Sequence, residues 1–479
     1  MAFKILSHAS MLVNHHYDEL LIDPWFIGSC YWRSWWNYPP VDTDLVKNLK
    51  PTAIYITHVH WDHWHGPTLK RFLDSDIQII THDEPNKRSS RDLRQFGFKN
   101  IKILKHGESF NIGEIKITPY QFGLFLNDSA LVIETPEVKI LNANDCKIAG
   151  ASLEQIKNKH GVFDFAFRSH SSANDRVCYS INGSDNVFDN PSHYTSAFKL
   201  FMDNVKPKYA IPFASNHCHL HKDVFHMNEL INDPYILKND IDDLGGLLNS
   251  EVKIMLSGDS WSSKDGFKID ETKEKYFKEK DSFLLKYQNE VSVVLSKYYD
   301  KESKTRINKR TINKFANQLQ SIPKFFKRKL KNWSFVINII GGNKKVYILV
   351  KPYESVIENV TKEIYVSSSV KIIIPADVFN SAVNQNMFHH SGISKRNKYI
   401  FNNEEGFNKW LIMNNLLEKL ELEVFPLKLA YIKNMIYNYF RRWREILVYI
   451  QAFILLKKGY KIYDVEEKIL SKNITNLNQ

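Results

Sequence analysis

The chain has 479 residues, 43% hydrophobic and 25% charged, an ordinary globular composition that excludes a disordered protein. Its four cysteines, Cys30, Cys146, Cys178 and Cys218, are too few and too scattered for a disulfide framework, which favours a reducing compartment. The net charge of +12 is uneven: residues 1–270 hold 28 Lys and Arg against 33 Asp and Glu and contain 16 of the 18 histidines, whereas the remainder is strongly basic.

Short β-branched and aromatic runs alternate with helical patterns through the first half of the chain. We predict strands such as Ala53–Thr57, Val138–Asn142 and Tyr209–Phe213. Helices are predicted at Pro67–Leu73 and Tyr194–Val205, the first with proline at its opening position. The alternation predicts an α/β region with two sheets.

The pattern changes near residue 270, and three parts follow from it. Residues 1–265 form the α/β part, residues 266–331 a basic helical connector, and residues 332–479 a smaller α+β domain. The amino terminus lacks the pattern of a signal peptide, and the apolar run Ile446–Leu456 is too short to cross a bilayer. We therefore expect a cytoplasmic protein with no transmembrane segment.

The most informative stretch is a histidine cluster directly after the strand predicted at Ala53–Thr57. His58, His60, Asp62 and His63 lie within six residues. Imidazole and carboxylate side chains suit Zn²⁺ and Fe²⁺, and a strand end with its following loop can bring several of them to one point. The alternative is a cluster that only caps the next helix, and the density of donors argues against it.

These residues match the His-x-His-x-Asp-His signature, and the sequence resembles the metallo-β-lactamase superfamily over about residues 1–260. The resemblance implies an αββα sandwich with the metal site at one edge. It also implies one or two metal ions, commonly Zn²⁺, and hydrolysis of esters, lactones, amides or phosphodiesters, although some members are oxygenases.

Further short motifs narrow the resemblance. Ser7-His8-Ala9-Ser10 followed by Ile22-Asp23-Pro24 is similar to the branch that holds ascorbate-6-phosphate lactonases and N-acyl-phosphatidylethanolamine phospholipase D. Arg33-Ser34-Trp35-Trp36, Pro67-Thr68-Leu69-Lys70 and Asp145-Cys146 resemble the catalytic region of CMP-N-acetylneuraminate hydroxylase. The second likeness implies iron. Its Rieske module is not matched, because the sequence has no Cys-x-His motif.

The superfamily's ligands can be carried over residue by residue. Asp145 is similar to the carboxylate that bridges two metal ions. The resemblance implies one ion held by His58, His60 and Asp145, and a second held by Asp62, His63, Asp145 and His221.

One superfamily ligand is missing. The histidine usually found between the signature and Asp145 would lie near Phe125, where the sequence has none. His170 could substitute for it, or could be an ordinary loop histidine. Near the last ligand position, His217, His219 and His221 follow a predicted strand; we choose His221, with His217 next.

The sequence predicts a metal-dependent hydrolase in which a metal-bound water attacks a phosphorylated or acidic small molecule. His60 and Asp62 are the predicted catalytic residues, with Asp62 able to orient the attacking water as a general base. The first alternative is an iron-dependent oxygenase of a nucleotide sugar such as CMP-sialic acid, which needs an external electron-transfer partner. The second is a non-catalytic metal-binding protein.

The basic carboxyl-terminal half adds two open questions. The run 300–331 lacks interleaved aromatic residues, so we expect no nucleic-acid partner and interpret it as a solvated helix face or an attractor of acidic metabolites. The amphipathic stretch 427–456 carries Arg441-Arg442-Trp443-Arg444. It allows a membrane-surface interpretation, although packing into a core is the commoner use of such a stretch.

Overall fold

The computed structural model describes residues 1–123, 128–171, 175–185, 191–342 and 344–475. The position near Phe125, where a histidine is missing from the expected ligand set, lies outside the described residues. Among the helices that are described, none combines the length and the apolar character needed to cross a membrane.

The first sheet has eight strands and is mixed. Four neighbouring strands, from Asp18–Ile22 to Ile101–Leu104, run parallel to one another. One of them, Ala53–Ile56, ends just before the histidine signature. In spatial order the strands are Gly266–Lys268, Ser260–Ser262, Ala2–Ile5, Met11–His15, Asp18–Ile22, Ala53–Ile56, Gln78–His82 and Ile101–Leu104.

The second sheet has seven strands and packs face to face with the first. Phe3 and Tyr55 of the first sheet share a buried cluster with Ile117 and Phe167 of the second. In spatial order its strands are Glu251–Val252, Tyr209–Phe213, Phe165–Ser169, Lys139–Asn144, Asp128–Glu134, Ile115–Phe122 and Phe110–Ile112.

Helices cover the outer face of each sheet. Thr43–Val46, Gly66–Leu69 and Arg88–Phe96 contribute buried side chains to the core on the first sheet. The helices on the second sheet are Gly150–His160, Pro191–Val205 and Pro234–Asp243. The layers are therefore helix, sheet, sheet, helix, which confirms the predicted αββα sandwich. A further small sheet joins His217–His219, Trp35–Asn37 and Ser29–Cys30.

A helical segment follows the sandwich. It buries Leu284 and Leu295 against Trp36 and Tyr38. Its α-helices are Lys275–Lys278, Lys280–Glu290, Ser292–Lys304, Lys309–Ser321 and Lys324–Lys327, with 3₁₀ turns at Glu271–Glu274 and Arg328–Leu330.

The third sheet contains strands from the amino-terminal and the carboxyl-terminal parts of the chain. Tyr179–Ile181 and Ser184–Asp185 come from within the first 265 residues and pair with carboxyl-terminal strands. The full order is Ser184–Asp185, Tyr179–Ile181, Lys398–Phe401, Val370–Pro375, Phe335–Gly341, Lys344–Lys351 and Val356–Val360. Its helices are Lys362–Ser367, Ala376–Gln385, Phe388–Ile393 and Glu404–Glu421.

The last three helices, Leu429–Arg441, Trp443–Lys457 and Ile462–Thr475, return to the sandwich. Val448 and Leu470 are buried in the same cluster as the helices of the second sheet. The contacts thus cross the boundary proposed near residue 332, and the three-part division of the chain stays a prediction.

Candidate metal centre

The signature residues lie in a tight loop after the strand Ala53–Ile56. The backbone N–H groups of His63 and Trp64 both donate to the His60 carbonyl, at 3.1 and 2.7 Å. This turn folds the loop back on itself, so that side chains close in sequence face a common interior.

Asp23 is a fully buried carboxylate beneath this loop. It accepts hydrogen bonds from the Thr57 backbone N–H at 2.8 Å, the Thr57 hydroxyl at 2.6 Å and the Asn144 amide at 2.7 Å. Its Oδ2 also accepts from Nδ1 of His63 at 2.8 Å. Burial opposes protonation of His63, yet the carboxylates of Asp62, Asp23 and Asp145 outweigh burial and raise the pKa of His63 well above its usual range. A bound cation would take the place of the proton on Nε2.

A hydrogen bond through the Thr57 hydroxyl orients His58. Because the Thr57 hydroxyl donates to Asp23, it accepts from Nδ1 of His58, which lies 3.0 Å away. Nε2 of His58 then lies 2.8 Å from Nδ1 of His60. Burial and the neighbouring histidines lower the pKa of His58 well below its usual range, and burial lowers that of His60 to about 3. Both rings are neutral at physiological pH and can bind a cation.

Asp62 faces the same space from the other side of the loop. Tyr31 donates to its Oδ1 at 2.6 Å, and its Oδ2 lies 3.2 Å from Nε2 of His8 and 3.5 Å from Nε2 of His63. Burial opposes ionisation of Asp62, yet His63 and His8 outweigh burial and hold the pKa of its carboxyl well below its usual range.

A left-handed turn presents Tyr31 to Asp62. Tyr31, Trp32 and Arg33 have φ angles of 50°, 56° and 64°, a conformation that non-glycine residues rarely adopt in succession. Each such residue costs on the order of 1–3 kcal/mol, and strain of this kind concentrates at functional sites. The Tyr31 ring also stacks on Trp61 with 5.6 Å between centroids.

Two further carboxylates complete the group. Oδ2 of Asp145 lies 3.3 Å from Nε2 of His63, and Oδ1 of Asp128 lies 3.9 Å from Nε2 of His58. Burial and the nearby Asp145 carboxylate raise the pKa of Asp128 well above its usual range. Two carboxylates that share a buried space repel each other unless a cation lies between them.

The donor atoms fit a metal ion. Nε2 of His60, Nε2 of His63 and Oδ1 of Asp128 are buried and make no hydrogen bond within the described part of the chain. Such atoms are costly without a partner. Imidazole nitrogen and carboxylate oxygen are ligands for both zinc and iron.

His170 and His217 lie near this group but not among its closest atoms. His170 is fully buried, and burial lowers its pKa to about 3. His8 and Asp145 are close enough to affect this pKa, His8 lowering it and Asp145 raising it. The His217 ring stacks on Trp35 at 3.8 Å between centroids and lies 5.5 Å from the His8 ring. Its Nδ1–H donates to the Ser215 carbonyl at 3.1 Å, and its Nε2 makes no hydrogen bond to a described residue.

His221 lies in a different group. Its Nε2 is 3.5 Å from Glu302, its Nδ1 is 3.7 Å from Asp223, and its ring packs on Tyr299 with 4.8 Å between centroids. The strand ends at His219, and the chain then turns, with the Val224 backbone N–H donating to the His221 carbonyl at 3.0 Å. Of the two histidines considered, His217 is the one that adjoins the centre.

A histidine from the carboxyl-terminal part also reaches the centre. His390 lies on the helix Phe388–Ile393, and its ring is 5.1 Å from that of His60 and 5.7 Å from that of Trp61. Nδ1 of His390 is hydrogen-bonded to Glu421, whose other oxygen accepts from the His390 backbone N–H at 3.2 Å. Nε2 of His390 is buried and makes no hydrogen bond among the described residues. We did not predict this residue, although His389 and His390 are the only histidines after residue 270.

Comparison with known proteins agrees with this geometry. Residues 2–122 match the family model of the beta-lactamase superfamily domain. Residues 2–122 are therefore similar to a domain of this superfamily. The match includes the whole signature, from His58 to His63.

Curated relatives extend the similarity beyond this domain. The chain is 23% identical over 257 residues to a Mycolicibacterium smegmatis protein named as a Rieske 2Fe-2S iron–sulfur protein, a match that covers 49% of this chain and 47% of that protein. It is 32% identical over 152 residues to the cytidine monophosphate-N-acetylneuraminic acid hydroxylase of Mus musculus, covering 29% of this chain and 26% of the hydroxylase. At its most extensive, the similarity spans about half the length of these relatives.

Two solved structures are similar to part of this chain. One is the diiron β-hydroxylase CmlA from Streptomyces venezuelae, with a TM-score of 0.38, 15% identity and coverage of 53% of each chain. Another is an isothiocyanate hydrolase from Delia radicum gut bacteria, with a TM-score of 0.40, 15% identity and coverage of 55% of this chain and 99% of that one.

Proposed function

We propose that this chain is a non-haem iron oxygenase that hydroxylates an acidic, nucleotide-linked sugar. The observation that supports this proposal is the donor set around His58. Nε2 of His58 lies 2.8 Å from Nδ1 of His60 and 3.9 Å from Oδ1 of the Asp128 carboxylate. Two histidines and one carboxylate form the ligand set typical of non-haem Fe²⁺ oxygenases. Catalytic zinc also binds such sets, so the choice of iron rests on the similarity to a hydroxylase.

The remaining donors would hold a second ion beside the first. Nε2 of His63 lies 3.5 Å from Oδ2 of Asp62 and 3.3 Å from Oδ2 of Asp145. Three carboxylates and three histidines provide oxygen and nitrogen ligands in equal number, a set that suits iron as well as zinc. When bound, iron would supply oxygen activation.

The protein side chains position the centre and shield it from water. Asp23 fixes the tautomer of His63, and Tyr31 holds Asp62. Trp61 and His390 pack beside His60 and form one wall of the space. Lys395 is buried, with Nζ 5.6 Å from the Trp35 ring centroid, and its positive charge suits an acidic substrate.

The substrate class and the electron donor are inferred by similarity. A relative with 32% identity over 152 residues is named as a hydroxylase of cytidine monophosphate-N-acetylneuraminic acid, and another relative is named as a Rieske protein. Cys218 and His221 form a Cys-x-x-His sequence without a Cys-x-His partner, and His221 lies against Glu302. We therefore assign the electron donor to a separate protein, and the four unpaired thiols suit the cytoplasm.

Metal-activated hydrolysis is the second candidate, and the position of Asp62 favours it. An ionised carboxylate held by Tyr31 at 2.6 Å can orient a metal-bound water toward an acidic ester, lactone or phosphodiester. This candidate would use one or two Zn²⁺ ions.

Metal analysis combined with oxygen uptake distinguishes the two. The chain, purified without oxygen, should contain iron and consume oxygen when supplied with CMP-N-acetylneuraminate and an artificial electron donor. Asp128→His should bind zinc in place of iron and lose oxygen uptake, because it converts the set around His58 to three histidines. Asp44→Asn, at an exposed carboxylate, is the matched control. Zinc in the unaltered chain, with hydrolysis of a phosphoester or lactone in the absence of oxygen, would overturn the oxygenase proposal.

A further inference from the structure

Two carboxyl-terminal helices expose an unusual amount of apolar surface. On Leu429–Arg441, Ile436 is 63% and Phe440 81% exposed. On Trp443–Lys457, Ile450 is 52% and Phe453 60% exposed. Large apolar side chains exposed in such number on consecutive helices indicate an interaction site.

On the longer of the two helices, Trp443–Lys457, the exposed residues occupy one face. Along Trp443–Lys457 the exposed positions recur every three or four residues, the spacing of one face of an α-helix. The opposite face is fixed against the sandwich: a Cβ added to Gly150 would lie only 3.1 Å from Val448. The helix therefore cannot rotate to bury its outer face. We call this surface the apolar face; it comprises Ile436, Phe440, Trp443, Leu447, Ile450 and Phe453.

The exposed charged residues on the two helices that carry the apolar face are all basic. Lys433, Arg441, Lys457 and Lys458 are all exposed. Between residues 428 and 461 the only acidic residue is Glu445. Its side chain is 1% exposed and forms an ion pair with Arg442 at 2.6 Å, so it contributes no negative charge to the surface.

We propose that the apolar face docks on the surface of an anionic lipid bilayer. Helices that lie in the membrane interface combine an apolar face rich in large residues with flanking lysine and arginine. Basic residues near an anionic leaflet are each worth about 1 kcal/mol of attraction, a factor of about five in affinity. Trp443 suits the boundary between lipid and water because its ring is apolar and its indole N–H is polar. The Arg444 guanidinium lies 4.6 Å from the ring centroid and adds a positive charge beside it.

A second copy of this chain would bring a second set of lysines against the first, and a protein partner would have to be acidic to match them. Large exposed apolar residues flanked by lysine and arginine are the pattern of helices at the membrane interface, so we assign the face to an anionic lipid surface. The docking proposal rests on this surface alone and is independent of the reaction at the metal centre.

Contacts connect these helices to the amino-terminal domain. Arg442 donates to the Gly123 carbonyl at 2.8 Å, and Glu445 accepts from the Gly123 backbone N–H at 2.9 Å. Asn438 donates to the Asp83 carbonyl at 2.8 Å. A docked chain would thus hold its metal-centre domain at the membrane surface.

Vesicle flotation with the full chain tests the proposal. The chain should float with vesicles of equal parts phosphatidylcholine and phosphatidylserine, and not with phosphatidylcholine alone. The triple variant Leu447→Gln, Ile450→Gln, Phe453→Gln should lose at least about tenfold in vesicle affinity, because it removes the apolar insertion. The variant Lys457→Glu, Lys458→Glu should lose about tenfold or more in vesicle affinity. Added salt should weaken the binding of the unaltered chain to the anionic vesicles.

Leu285→Gln with Val293→Gln is the matched control. These side chains are 54% and 63% exposed on other helices of the basic half, and their replacement should leave flotation unchanged. Metal content of every variant shows that the chain is folded. Absence of flotation with either vesicle type, or equal flotation of the triple variant, would overturn the proposal. So would self-association in analytical ultracentrifugation that the triple variant abolishes, since a second copy would then cover the face.

Discussion

Asp23 receives four hydrogen bonds while it is completely shielded from water. A buried carboxylate is costly unless donors surround it, and here one of the donors is His63, a candidate metal ligand. Its φ of 44° places it in the left-handed region, which aspartate and asparagine tolerate better than most residues. The residue therefore links backbone geometry, hydrogen bonding and ligand orientation at a single position.

Asp23→Asn should weaken metal binding by about 10–100-fold, the range found when a group that orients a ligand is altered. Asparagine suits the same backbone conformation, so the fold should persist while His63 loses its anionic partner. Competition with a chelator gives the affinity, and Asp44→Asn supplies the comparison at an exposed carboxylate. Unchanged affinity in Asp23→Asn would remove His63 from the ligand set.

Glu84 provides a test of pH-dependent stability away from the metal centre. Burial raises the pKa of this carboxyl to about 7, although its Oε2 accepts from the Ser89 backbone N–H at 2.7 Å. The folded chain therefore holds the proton more tightly than the unfolded chain does. The free energy of unfolding should fall as the pH rises from about 4.5 to about 7 and then level off.

Glu84→Gln should remove this fall. The variant should be more stable than the unaltered chain at pH 8, by at most about 3 kcal/mol, and show no gain at pH 4. Urea unfolding at both pH values measures the difference. Glu405→Gln, at a side chain 79% exposed, should show no such trend. A stability gain that is the same at both pH values would contradict the assignment.

At the scale of single elements, the short helix Phe388–Ile393 brings His390 beside His60. Glu421 orients the ring from a neighbouring helix. A histidine held in this way offers a buried nitrogen to a substrate bound at the metal centre.

His390→Ala should reduce turnover about 100-fold, the cost of losing one positioned hydrogen-bonding group, with the metal content unchanged. Glu421→Gln, which keeps the shape of the pair, should reduce turnover less. His16→Ala removes a histidine that is 68% exposed and should have no effect. Loss of metal from His390→Ala would instead make His390 a ligand.

These elements also show what could be predicted from the sequence. The strand and loop at Ala53–Gly66 were predictable because all donors lie within a few residues of a strand end. Asp128 escaped prediction because the superfamily pattern calls for a histidine there. His390 escaped because more than 300 residues separate it from the signature. The spacing of the resemblance favours His221 over His217, whereas in the structure the chain turns after His219 and His221 lies beside Glu302.

At the scale of the whole molecule, the carboxyl-terminal helices act as structural parts of the amino-terminal sandwich. Leu470 is fully buried in the cluster that covers the second sheet, and its carbonyl accepts from the Asn204 amide at 2.8 Å. The bidentate pair of Arg91 and Glu423 adds a second connection, at 2.6 and 2.8 Å. Such shared contacts couple the stability of the two halves.

Leu470→Ala should lower the free energy of unfolding by about 2–5 kcal/mol, as cavity-forming core substitutions do. Backbone amide hydrogen exchange should become faster in the helix Pro191–Val205, because the last helix packs against it. Leu429→Ala, at a side chain 86% exposed, is the control. Faster exchange confined to the last helix would show that the two halves are not coupled.

Anomalous diffraction at the iron edge, from crystals grown without oxygen, tests the central claim most directly. We expect an iron atom within bonding distance of His58, His60 and Asp128, with a second ion near His63 and Asp145. An anomalous signal from zinc alone, or a metal ion that Asp128 does not contact, would contradict the proposed iron site with its two histidines and one carboxylate.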